Sequence, residues 1–74
     1  MKNFLVIGLG RFGTAVAREL YAVGNDVLAV DIRSENVEAI ADYVTHAVVG
    51  DGRDSDVLRA LGVKEYDCAV VAVG

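Results

Sequence analysis

Three glycines spaced as Gly8-Leu9-Gly10-Arg11-Phe12-Gly13, with a carboxylate at Asp31, are the residues whose types and spacing fit a definite chemistry. That chemistry is the non-covalent capture of a phosphorylated nucleoside. Gly8 permits a tight turn, Gly10 lets backbone approach a phosphate, and Gly13 lets a helix pack closely on the preceding strand. The free N–H groups at the start of that helix carry roughly half a positive charge toward an anion. A carboxylate about twenty residues on, at the tip of the next strand, accepts hydrogen bonds from ribose hydroxyls and repels a 2′-phosphate. ATP, ADP, AMP and NAD(H) are the expected ligands, and NADP(H) is disfavoured. The competing readings are a strand–helix turn that merely needs glycine and, for Asp31, a turn acid ahead of Ser34.

Other residues extend the candidate site. Arg11 lies between the second and third glycines, where a guanidinium either reaches a terminal phosphate or stays solvated. Ile32 and Arg33 follow Asp31 and join the binding set; Arg33 would favour a 2′-phosphate, but Asp31 at the strand tip outweighs it. Gly50-Asp51-Gly52 ends the third apolar run, at the adenine edge of such a site. There Asp51 either accepts a bond from the adenine amino group or belongs to a plain turn, with Asp54 or Ser55 capping the next helix. Gly74 ends the fourth run, where backbone approaches a ligand again. His46 has no partner at metal-ligand spacing, and Cys68 reads as a core thiol. No nucleophile–base pair, zinc cluster or hydride-transfer site is present, so a binding domain is expected and not an enzyme. An Asp31→Ala chain is expected to fold nearly normally and to bind nucleotide weakly.

The elements that position these residues follow from the pattern. Apolar runs at 3–7, 26–30, 46–49 and 68–73 do not alternate with polar residues, as in parallel strands covered on both faces. Helical patterns separate them. The first spans about Arg11 to Val23, with Phe12, Ala15, Val16, Leu20 and Val23 toward the sheet and Gly24 as a left-handed cap. The second is capped by Ser34 and presents Val37, Ile40 and Ala41. The third runs from Asp54 to Leu61 and ends at Gly62. The expectation is an α/β, Rossmann-like doubly wound parallel sheet, βαβαβαβ, in strand order 3-2-1-4, forming one domain over residues 1–74. This is about half of a doubly wound fold. The stop at Gly74 leads us to expect a truncated fragment that self-associates through the fourth-strand edge or an uncovered sheet face.

Composition narrows the function classes. The 74 residues are 54% hydrophobic and 24% charged, with no proline, which describes a small globular domain. The net charge of −4 and the lack of a basic cluster argue against a nucleic-acid partner. The apolar runs are strand-sized, so neither a membrane span nor a signal peptide is expected. A single cysteine allows no intramolecular disulfide and fits a reducing cytoplasm.

Val6-Ile7-Gly8-Leu9-Gly10-Arg11-Phe12-Gly13, Asp31, the segment from Thr45 to Asp51 and the segment from Tyr66 to Gly74 together resemble a known family. They look like the N-terminal nucleotide-binding lobe of RCK/KTN (TrkA-N) domains, the cytosolic regulatory subunits of potassium uptake systems of the KtrA/TrkA type. The resemblance implies a sensor that binds ATP, ADP or NAD(H) and controls a membrane potassium transporter from its cytoplasmic side. It implies phosphates at the glycine loop, the ribose at Asp31, the adenine end at Asp51 and terminal phosphates at Arg11. Gly52-Arg53 departs from the small residue and threonine common after Gly-Asp in that family, so contacts at the adenine edge are expected to differ. Two other readings compete: the cofactor half of an NAD-dependent oxidoreductase, and a self-associating fragment that binds nothing.

Overall fold

The computed structural model describes residues 1–72. Four parallel strands, β1 (Asn3–Ile7), β2 (Asp26–Asp31), β3 (His46–Val49) and β4 (Cys68–Val71), form one sheet in the order β3-β2-β1-β4. Three helices connect them: α1 (Arg11–Ala22), α2 (Ser34–Ile40) and α3 (Ser55–Ala60). Short 3-10 turns, Ala41–Tyr43 and Val63–Glu65, follow α2 and α3. The Rossmann-like α/β class and the strand order are as the sequence implies. The expected end of the fourth strand at residue 73 lies outside the described residues.

The core is double because the two central strands are covered on both sides. Successive strand residues point to opposite faces. Val6, Val27 and Ala29 pack with Leu9, Ala17, Val37, Ile40 and Val44 on the side of α1 and α2. Leu5, Ile7, Leu28 and Val30 pack with Leu58, Leu61, Val63 and Tyr66 on the side of α3. The outer strands do not share this cover: β3 and β4 keep Val49 and Val71 exposed. Cys68 is exposed too, contrary to the core thiol expected, because it sits on the edge strand β4.

The face of α1 also differs from expectation. Gly13 and Ala17 are buried and Val16 and Leu20 half-buried, whereas Phe12, Ala15 and Val23 are exposed. Gly13 decides this. A Cβ there would lie 1.8 Å from the Gly8 carbonyl oxygen, so the helix backbone rests on the turn at this residue. With residue 13 facing inward, the buried stripe runs through 16, 17 and 20, and Phe12 is rotated about 100° away. In α2, Val37 and Ile40 are buried but Ala41 is exposed. It opens the 3-10 turn, and Val44 enters the core instead. Arg18 stacks over the Tyr43 ring at 4.1 Å and ties α1 to that turn. Gly24 and Gly62 take the positive φ expected at the helix ends, +102° and +72°.

Candidate functional site

The carboxyl ends of β1, β2 and β3 lie side by side at one end of the sheet, next to the β1/β4 position where the strand order reverses. Ile7 pairs with Val30, and Asp31 with Val49, so the turns after these strands lie side by side. A cleft of about 390 Å³ opens there. It is lined by Gly8, Asp31, Ile32, Gly50, Asp51, Gly52 and Arg53 over a floor of Ile7, Val30 and Val71. Six of the expected site residues therefore converge. Gly10 and Arg11 border a neighbouring groove between α1 and α2, with Leu9, Thr14, Ala15, Arg18 and Asn36. Phe12 points to solvent, and Gly13 is buried beneath the turn. Gly74 lies outside the described residues.

The glycine turn is built by backbone and fixed by one side chain. Gly8 has φ +97° and donates its N–H to the Val30 carbonyl at 2.8 Å, which bends the chain out of β1. Leu9 is then held at both ends. Its N–H donates to Asp31 Oδ1 at 2.9 Å, and its carbonyl accepts from Thr14 Oγ1 at 3.0 Å. Asp31 Oδ2 accepts the Arg33 N–H at 3.1 Å and Asn36 Nδ2 at 2.8 Å. One carboxylate thus clamps the β1 turn to the β2 turn and to α2. Ser34 contributes no cap: α2 has no side-chain cap at its N-terminus. Asn36 and Thr14 were not singled out from the sequence. Their signal was positional, each about one helical turn beyond the motif residue that it supports.

Two glycines of the motif have different reasons to be glycine. Gly13 cannot carry a side chain because Gly8 occupies the space. Gly10 is unconstrained by the described residues: its φ and ψ, −73° and −163°, suit any residue, and none of their atoms lies within 4 Å of a Cβ placed there. It caps α1 without a side-chain hydrogen bond, and the first turn holds no acidic residue. The first-turn N–H groups have no acceptor within the helix itself. Open space, unpaired donors and the positive end of a helix dipole suit a phosphate.

Electrostatics favour a charged Asp31. Partial burial pushes its carboxyl up, but the hydrogen bonds from Leu9, Asn36 and Arg33 and the charge of Arg33 outweigh burial and hold it below the usual 3.8. With three acceptor sites used, about one of its four remains for a ribose hydroxyl. Asp51 is also held low, by the Arg53 guanidinium and N–H. Asp54, not Ser55, caps α3, accepting from the Asp56 N–H at 2.9 Å. Among the described residues, no cluster of His, Cys, Asp or Glu is arranged to hold a metal ion. Nor is any described helix long and apolar enough to cross a membrane.

Residues 4–74 match the model of the TrkA-N domain family. The Ktr system potassium uptake protein A of Bacillus subtilis (strain 168) is 47% identical over 73 residues, covering 99% of this chain and 33% of that protein. The Ktr system potassium uptake protein C of the same organism is 44% identical over the same shares. The Ktr system potassium uptake protein A of Vibrio alginolyticus is 42% identical, again over 99% of this chain and 33% of its own. The chain spans about a third of the length of these curated relatives.

Proposed function

The chain belongs to the TrkA-N domain family, and from that premise we propose that it is the adenine-nucleotide-binding regulatory module of a potassium-transport system. The observation that carries the reading is Gly10. It is a glycine that nothing among the described residues requires, set at an uncapped helix N-terminus beside a clamped carboxylate. Close approach of a ligand phosphate explains it, and the donor set fits that group. The names of the relatives, potassium uptake proteins, support the choice of transport system over a dehydrogenase.

In this function the first-turn N–H groups of α1 receive the phosphates, and the ionised Asp31 accepts a ribose hydroxyl. Its charge disfavours a 2′-phosphate, so ATP, ADP and NAD(H) bind and NADP(H) does not. In this reading Arg11, exposed at the head of α1, takes a terminal phosphate. The membrane partner is a potassium transporter, met on the cytoplasmic face, and β4, an edge strand with exposed side chains, is the self-association edge. Regulation requires that the nucleotide bind two states of the assembly with different affinity; tight binding alone shifts nothing.

The test is calorimetric titration of the folded chain with ATP, ADP, NADH and NADPH. Saturable binding of the first three with NADPH excluded is expected, and Gly10→Ala weakens all three without unfolding the chain. A folded chain that binds none of them refutes the reading.

A further inference from the structure

The turn after β3 carries a side chain that the expected site did not include. Arg53 folds back on Asp51: its backbone N–H and Nε donate to Oδ1 at 2.9 and 3.1 Å, and its Nη2 donates to Oδ2 at 3.3 Å. A contact between residues two apart needs a tight turn, and Gly52 packs that turn against β1. A Cβ on Gly52 would fall 2.2 Å from Ile7 Cγ2, so the turn's backbone lies directly on the side chain that ends β1. Beyond the turn, the Asp54 N–H donates to the Asp51 carbonyl at 3.0 Å and the Asp54 carboxylate caps α3. The backbone that carries Arg53 is therefore held on both sides. A two-point contact with a carboxylate also sets the orientation of its guanidinium plane.

Two consequences follow for the cleft that Asp51, Arg53 and Ile32 share. Arg53 fills three of the roughly four acceptor sites on the Asp51 carboxylate, leaving about one, on Oδ2, for an exocyclic amino group. The guanidinium, meanwhile, has part of its edge satisfied while its side chain stays 80% exposed. Ile32, an apolar residue 61% exposed, lines the same cleft. A flat cationic plate and an apolar wall suit a heteroaromatic ring through its π face, which every base possesses.

We propose, resting on the nucleotide-binding reading above, that Arg53 determines base specificity. Its guanidinium, oriented by Asp51, stacks on the base of the bound nucleotide, so the site selects a purine by ring surface more than by the single acceptor left on Asp51. The Gly52-Arg53 pair makes this site tolerant of either purine.

The experiment titrates ADP, GDP and CDP into the chain and into Arg53→Ala and Arg53→Lys, with folding checked by circular dichroism. The wild-type chain binds ADP and GDP within about threefold of each other and CDP more weakly. Arg53→Ala weakens both purine nucleotides by roughly 3- to 30-fold, and CDP by less. Arg53→Lys keeps the charge but loses the plane, so it binds as weakly as the alanine variant. Wild-type affinity in Arg53→Lys overturns the proposal, since charge on the phosphates would then suffice. So does unchanged ADP affinity in Arg53→Ala, or a wild-type preference for ADP over GDP beyond about 30-fold. These outcomes leave nucleotide binding standing, whereas a wild-type chain that binds no ADP overturns both readings.

Discussion

Replacing Gly13 and Gly10 by alanine, one at a time, should give two very different proteins from the same change in the same motif. At Gly13 the new Cβ would sit 1.8 Å from the Gly8 carbonyl oxygen and 2.9 Å from its carbon. Both atoms are backbone, so no side chain can give way. Relief requires α1 to move more than about 1 Å off the turn after β1, loosening the contacts of Ala17 and Leu20 with the core. Overpacking of this kind costs about 3 kcal/mol or more. A domain of this size has a total stability of about 4–11 kcal/mol. At about 4–8 °C per kcal/mol, Gly13→Ala melts at least roughly 12 °C lower. At Gly10 nothing lies within 4 Å, and φ −73° with ψ −163° suits alanine. Lower entropy of the unfolded chain stabilises by about 0.4–1 kcal/mol, and loss of a good N-cap residue costs a similar amount. The net change stays within about 0.5 kcal/mol, or about 3 °C. Thermal denaturation followed by circular dichroism reads both. A Gly13→Ala chain melting within 2–3 °C of wild type, or a Gly10→Ala chain falling as far as Gly13→Ala, refutes the assignment of one glycine to packing and the other to the ligand.

Asp31→Ala, which the sequence alone presents as a binding variant, also loses stability. The N–H of buried Leu9 is left without its acceptor, a cost of about 1–3 kcal/mol that urea denaturation measures; an unchanged midpoint would show that the clamp is dispensable. The same carboxylate gives a pH dependence. Its folded value lies below 3.8, so the unfolded chain takes up the proton first as pH falls. The stability it contributes is present above about pH 4 and is lost as pH drops through the lowered folded value. Melting temperature against pH should fall less steeply below about pH 4 in Asp31→Asn than in wild type, and identical slopes would contradict this. Cys68, exposed on β4, should react with one equivalent of a thiol reagent in the folded chain; reaction only after denaturation would count against its placement.

The sequence by itself determined the sheet and the motif. Unbroken apolar runs are what strands covered on both faces require, and β1 and β2 carry the longest of those buried strands. The spacing of Gly8, Gly10, Gly13 and Asp31 placed the turn, the helix and the acid, because the turn at Gly8 and the close approach at Gly13 lie within one short segment and Asp31 ends the next apolar run. Rotations and partnerships were not local. Which stripe of α1 is buried depended on Gly13 meeting the Gly8 carbonyl across the turn, so Phe12 and Val23 faced solvent despite their apolarity. Cys68 was exposed because β4 is an edge, a property of strand order and not of its own residues. Asp31 acts on Leu9, Arg33 and Asn36, and Asp51 is taken by Arg53. A hydrogen bond joins atoms that the fold brings within about 3.3 Å of each other. The residue types state only that the donors and acceptors exist; the packing of β1 against β2, and of Gly52 on Ile7, decided which of them meet.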